Sequence, residues 1–92
     1  MAGYAMEKDQ IAARLARIEG QVRGIARMVD EDRYCIDVLD QVASVTKALQ
    51  SVAVGLVHEH LAHCVADAVA ESDEAGRAKI DEATTAIARL VK

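Results

Sequence analysis

Apolar residues recur along the first third of the chain at alternating steps of four and three: Ile11, Leu15, Ile18, Val22, Ile25 and Val29. That spacing is the seam of an amphipathic helix and predicts one over about 6–29. Gly20 and Gly24 lie one turn apart, where a neighbouring helix would approach closely. The acidic run Asp30, Glu31, Asp32 interrupts the pattern and offers N-cap side chains for the next helix. A longer helix is predicted over about 33–71. Cys35, Val42, Leu49 and Leu56 share one heptad position, and Val38, Val45 and Val52 share the other. Gly55 weakens this helix by roughly 1 kcal/mol against Ala. The stretch Ser72 to Gly76 is the next expected break. A third helix follows over about 77–91, with Ile80, Ala83, Ile87 and Leu90 on one face.

Composition supports an all-α fold. The 92 residues include no Pro, Trp or Phe and only two Tyr. Small aliphatics without proline favour helices over a sheet sandwich. The expectation is one domain over 1–92, preceded by a short disordered arm at 1–5. A chain this short buries a modest core alone, so self-association is expected.

The net charge of −4 is unevenly spread. Lys8 to Arg27 carry five basic and two acidic residues, a local +3. Asp30 to Asp40 and Asp67 to Glu82 each come to −4. A polyanion would meet the N-terminal third. The N-terminus shows no apolar run after a basic start, so no secretory leader is expected, and no apolar stretch is long enough for a membrane-spanning helix. Two cysteines do not make a disulfide framework, so a reducing cytoplasm is expected. No nucleophile with an aligned base suggests an enzyme.

The chemistry gathers around His60 and Cys64. They are i and i+4 on a helix and project from one face, a spacing that suits two ligands to one metal. Cys35 is the third soft donor, but it precedes His60 by 25 residues. A continuous helix would separate the two by roughly 37 Å. One chain cannot close that site. An antiparallel second copy can, if a two-fold axis falls near Ala48 and Leu49. Each dimer would then hold two sites of two thiolates and one imidazole. Thiolates select Cu(I), zinc or iron–sulfur chemistry. Three donors leave zinc one short of its tetrahedron, so Cu(I) fits best, although spacing alone does not single it out. His58 is rotated about 200° from His60 and faces solvent. His63 points off the face of Cys64.

Arg14, Arg17 and Gln21 line one face of the first helix. Two arginines and an amide are by themselves a weak nucleic-acid signal, which symmetry would multiply. Glu19 and Arg23 form an i,i+4 pair that withdraws Arg23. No helix-turn-helix pattern is visible.

The run from Arg14 to Ile25 (RLARIEGQVRGI), Tyr34-Cys35, and His60 to Val65 (HLAHCV) together resemble the CsoR/RcnR family of metal-responsive repressors. The resemblance extends from about Ile11 to Leu90. It implies a three-helix protomer, an antiparallel four-helix-bundle dimer and a homotetrameric dimer of dimers. It implies operator DNA bound without metal and released with it. Among the family's branches, Cys35, His60 and Cys64 match the copper(I) sensors. Gly3 stands where nickel and cobalt sensors carry a histidine. Persulfide sensors lack the histidine that His60 supplies. Formaldehyde sensors lack the second thiol and use an N-terminal proline, where Cys64 and Ala2 differ. The family's outer hydrogen-bond partners map to Tyr34 and Glu82, with Asp81 and Glu71 as alternatives because the segment after Cys64 is longer than usual. Its DNA contacts map to Arg14 and Arg17, with Gln21 and Lys47 beside them. Two other readings stay open: a thiol-reactive repressor of the same fold joined through Cys35 and Cys64, and a copper-buffering protein that never touches DNA.

Overall fold

A computed structural model describes residues 8–91. The expected arm at 1–5, the first residues of the helix expected from 6, and the Ala2 and Gly3 positions lie outside them. The order is α1 (Lys8–Asp30), α2 (Cys35–Glu59), a π-helical turn (His60–Val65), α3 (Ala66–Glu71) and α4 (Asp73–Leu90). No strand occurs among the described residues. Helical structure is unbroken from α2 through the π-turn to α3, so three helical stretches are present, as the periodicity predicts.

The acidic run ends α1 rather than capping α2. Asp32 has φ of 57°, in the left-handed region. Its N–H donates to the Val29 carbonyl at 3.1 Å, and the Arg33 N–H donates to Met28 at 2.9 Å. This pair of bonds is a Schellman closure, which satisfies carbonyls the helix end would orphan. Asp tolerates the left-handed backbone better than most residues. The N-cap position of α2 falls to Tyr34, whose carbonyl accepts from the Val38 N–H at 3.2 Å.

The described chain divides into two compact units, 8–53 and 54–91. In the first, α1 runs beside α2: Arg14, Arg17, Ile18 and Gln21 of one helix and Ala48 and Ser51 of the other line a shallow groove of about 270 Å³. The α1 seam is divided. Ile18 is buried and Ile11 and Ile25 are half-buried, whereas Leu15, Val22 and Val29 are exposed. The two heptad positions of α2 divide in the same way. Val45 and Val52 are buried, but Val42 and Leu49 stay 42% and 47% exposed. The expected close approach at Gly20 and Gly24 is absent among the described residues: a methyl at Gly24 would meet nothing within 4 Å.

In the second unit α4 packs back on α3 and the π-turn. The break expected over Ser72 to Gly76 shrinks to Ser72 alone, so α4 starts four residues earlier than the expected 77. Ser72 is extended, and its Oγ accepts from the Ala75 N–H at 3.0 Å. Asp73 and Glu74 occupy the first turn, where the helix dipole favours acids. Gly76 is no breaker; it is buried against α3, and a Cβ there would sit 2.7 Å from Val69 Cγ2 and 3.0 Å from Val69 Cα. Val65, Ala68 and Ala83 complete this small core.

Candidate metal centre

His60 and Cys64 fall within the π-turn, not within regular α-helix. In an α-helix four residues overshoot a full turn by about 40°. A π-turn is wider, each N–H reaching back five residues rather than four, and it brings i and i+4 nearer to eclipse. Both side chains are half-buried. The donor pair therefore stands on one face of a turn type that recurs at functional sites. Nothing in the periodicity marks this turn, because its apolar spacing also fits a regular helix.

Glu82 lies behind His60. Its Oε1 is 3.8 Å from His60 Nε2 and 3.5 Å from Lys79 Nζ. The distance to the imidazole exceeds a direct hydrogen bond but places the carboxylate one small shift away. The two alternatives named for this role make no such approach: among the described residues no ion pair joins Asp81 or Glu71 to His60.

His63 has a different partner. Its Nε2 is 3.0 Å from Glu59 Oε2, four residues earlier, and the Glu59 side chain is only 14% exposed. The i,i+4 spacing of Glu59 and His63 is plain in the sequence, but such pairs are common on helices, and only the π-turn shows this one reaching into the segment that carries His60 and Cys64. His58 is exposed, as its rotation predicts.

Cys35 opens α2 in the first unit and is exposed; Tyr34 beside it is 69% exposed. Among the described residues no three His, Cys, Asp or Glu side chains converge as a metal cage. The candidate donors are two thiols and an imidazole. Thiol and imidazole side chains would suit a soft ion better than a hard one.

On α1, Arg14, Arg17 and Gln21 share the groove described above. Glu19 and Arg23 pair at 2.7 Å, so Arg23 is engaged as expected. Lys47 is exposed on α2. Among the described residues no helix is long and apolar enough to cross a membrane.

An all-helical fold with a soft donor pair and a basic helix face has the make-up of a metal-responsive regulator. Residues 7–89 match the metal-sensitive transcriptional repressor family, and the chain belongs to it. It is 60% identical over 90 residues to the copper-sensing transcriptional repressor RicR of Mycobacterium tuberculosis H37Rv, covering 98% of this chain and 94% of that protein. It is 57% identical over 67 residues to the copper-sensing transcriptional repressor CsoR of Bacillus subtilis 168, covering 73% and 66%. The crystal structure of the copper-sensing repressor CsoR with Cu(I) from Geobacillus thermodenitrificans NG80-2 superposes with a TM-score of 0.87 at 41% identity, covering 95% of this chain and 88% of that one.

Proposed function

We propose that the chain is a cytoplasmic copper(I)-responsive repressor, which holds operator DNA without metal and releases it when Cys35 of one protomer joins His60 and Cys64 of another. The observation that carries this reading is the π-turn, with His60 and Cys64 on one face and Glu82 behind the imidazole. The copper-sensing relatives support the choice of metal. Bound Cu(I) supplies a soft centre that accepts two thiolates and one imidazole without a fourth ligand.

The chain's own residues do the rest. Cys35 and Cys64 must shed protons to ligate, so binding weakens in acid. With Nε2 directed at Glu82, His60 keeps Nδ1 as its donor nitrogen. An imidazole that has given up its lone pair donates its N–H more strongly, which draws Glu82 and thus α4 toward the site. The exposed stripe Leu39, Val42 and Leu49, on the same side of α2 as Cys35, is suited to a second copy. Arg14, Arg17 and Gln21, with Lys47, form the DNA face, repeated in a tetramer so that phosphate contacts accumulate.

The test is an anaerobic Cu(I) titration followed at once by absorption and by release of an operator fragment. Release should track occupancy by two sulfurs and one nitrogen. A His60→Ala chain that still releases DNA normally with copper overturns the linkage. The exposure of Cys35 favours one second reading, a thiol-reactive repressor. Polysulfide treatment would then cross-link Cys35 to Cys64 and release DNA, with copper inert.

A further inference from the structure

We infer that the groove between α1 and α2 is a discrete seat for one phosphate group, gripped by the Arg14 and Arg17 guanidiniums, with the Ser51 hydroxyl as a donor from the second helix. The seat stands on the groove itself; only its use by DNA rests on the reading of α1 as the DNA face.

The groove is lined by Arg14, Arg17, Ile18 and Gln21 of α1 and by Ala48 and Ser51 of α2. It carries two positive charges and no carboxylate. Arg14 and Arg17 are one turn apart, so each disfavours the other until an anion enters. Among the described residues no hydrogen bond or ion pair engages the side chains of Arg14, Arg17, Gln21 or Ser51. Hydroxyls elsewhere on the helices fold back: Thr46, Thr84 and Thr85 donate to the carbonyls four residues earlier at 2.9, 2.8 and 3.0 Å. Ser51 makes no such bond, and its O–H is available to a ligand. A phosphate group presents acceptor oxygens, and guanidinium forks beside a hydroxyl are the donors that match them.

Self-association leaves the groove open. Ile18 and Val45 are buried in the first unit. At 100° per residue, Arg14, Arg17 and Gln21 lie roughly 40–100° to one side of Ile18, whereas the exposed Leu15 and Val22 lie roughly 40–60° to the other. On α2, Ala48 and Ser51 turn to one side of Val45, and the exposed Val42 and Leu49 turn to the other. The apolar flank is suited to a second copy and the polar flank to an anion. Ala48 keeps the space clear, because a longer side chain there would enter the groove.

The test uses the full metal-free chain, reduced, with sodium pyrophosphate as the probe at fixed ionic strength. Calorimetry gives the affinity, and amide chemical shifts give the place. Binding should saturate, with the shifts concentrated around 14–21 and 48–51. Arg17→Lys keeps the charge and loses the fork, and Ser51→Ala keeps the helix and loses the donor. Each should weaken pyrophosphate binding about tenfold, the effect of losing one charge-assisted hydrogen bond. Ala48→Leu keeps every charge, fills the groove and should abolish saturable binding. Arg27→Ala, on the side of α1 away from Ile18, should alter the affinity little. Binding that never saturates, or that falls equally with Arg17→Lys and Arg27→Ala, overturns the seat, because a diffuse field does not distinguish one charge from another. Displacement of a labelled operator fragment by pyrophosphate, against sodium chloride at equal ionic strength, separates the failures. Saturable binding in the groove with operator affinity unmoved upholds the seat and overturns the DNA reading of α1. Operator binding that needs Arg14 and Arg17, with no saturable pyrophosphate site, overturns the seat alone.

Discussion

His60 Nε2 lies 3.8 Å from Glu82 Oε1, and this approach joins the π-turn to the middle of α4. Lys79 holds the same oxygen at 3.5 Å, so the carboxylate stands between a cation on its own helix and an imidazole on another. Closing the gap to hydrogen-bonding distance would shift the balance toward His60.

Glu82→Ala should therefore leave the thiolates able to bind copper while uncoupling them from DNA. The ratio of operator affinities without and with Cu(I) is expected to fall by about tenfold, within the usual range of allosteric coupling. Fluorescence anisotropy with a labelled operator fragment measures it. An undiminished ratio would show that α4 takes no signal from His60.

Gly76 faces Val69 too closely for any side chain: an added Cβ would lie 3.0 Å from the Val69 backbone as well as 2.7 Å from its methyl. Gly76→Ala should cost about 1–3 kcal/mol of stability by overpacking, despite the helix propensity of Ala. Trimming the partner, as Val69→Ala/Gly76→Ala, should recover only part of the loss, because the backbone at position 69 stays as close as before. Urea unfolding followed by circular dichroism gives both values.

These two positions show what is legible in the sequence. The apolar spacing is enough for three helical stretches, and the i,i+4 rule is enough to place His60 and Cys64 on one face. Gly76 reads as a breaker because close packing and chain reversal favour the same residue, and only the position of Val69 separates them. Asp30 to Asp32 read as a cap for α2 because Asp suits both an N-cap and a left-handed C′ position. The π-turn has no signature in the apolar spacing, which fits a regular helix equally well. Nor does periodicity tell which apolar positions of α2 face α1 and which face outward.

Ser72 supplies the side-chain cap of α4 through Ala75. Ser72→Ala should cost about 1 kcal/mol, and Ser72→Asp should retain the cap and gain from the helix dipole. The comparison by thermal unfolding distinguishes a cap from a mere linker, for which both substitutions would be neutral.

Leu49 is 47% exposed although it belongs to the apolar seam of α2. If that stripe is where a second copy seats, Leu49→Glu places two like charges near a two-fold axis and removes apolar surface from the interface. Sedimentation velocity should then show a smaller species at micromolar concentration. An unaltered sedimentation coefficient would move the interface elsewhere.

Arg17 lines the α1 groove with Arg14 and Gln21, and no acidic side chain is paired with it among the described residues. A guanidinium so placed is available to a phosphate. Arg17→Ala should weaken operator binding, and the slope of log affinity against log salt should fall by about 1 for each phosphate the protein no longer neutralises. Arg23, held by Glu19 at 2.7 Å, supplies the internal control. Its substitution by Ala should leave the salt slope nearly unaltered, because that charge is already engaged and its exposed pair contributes little to stability. Equal weakening by both substitutions would mean that the basic third acts as a diffuse field and that no ordered stripe on α1 reads the backbone of DNA.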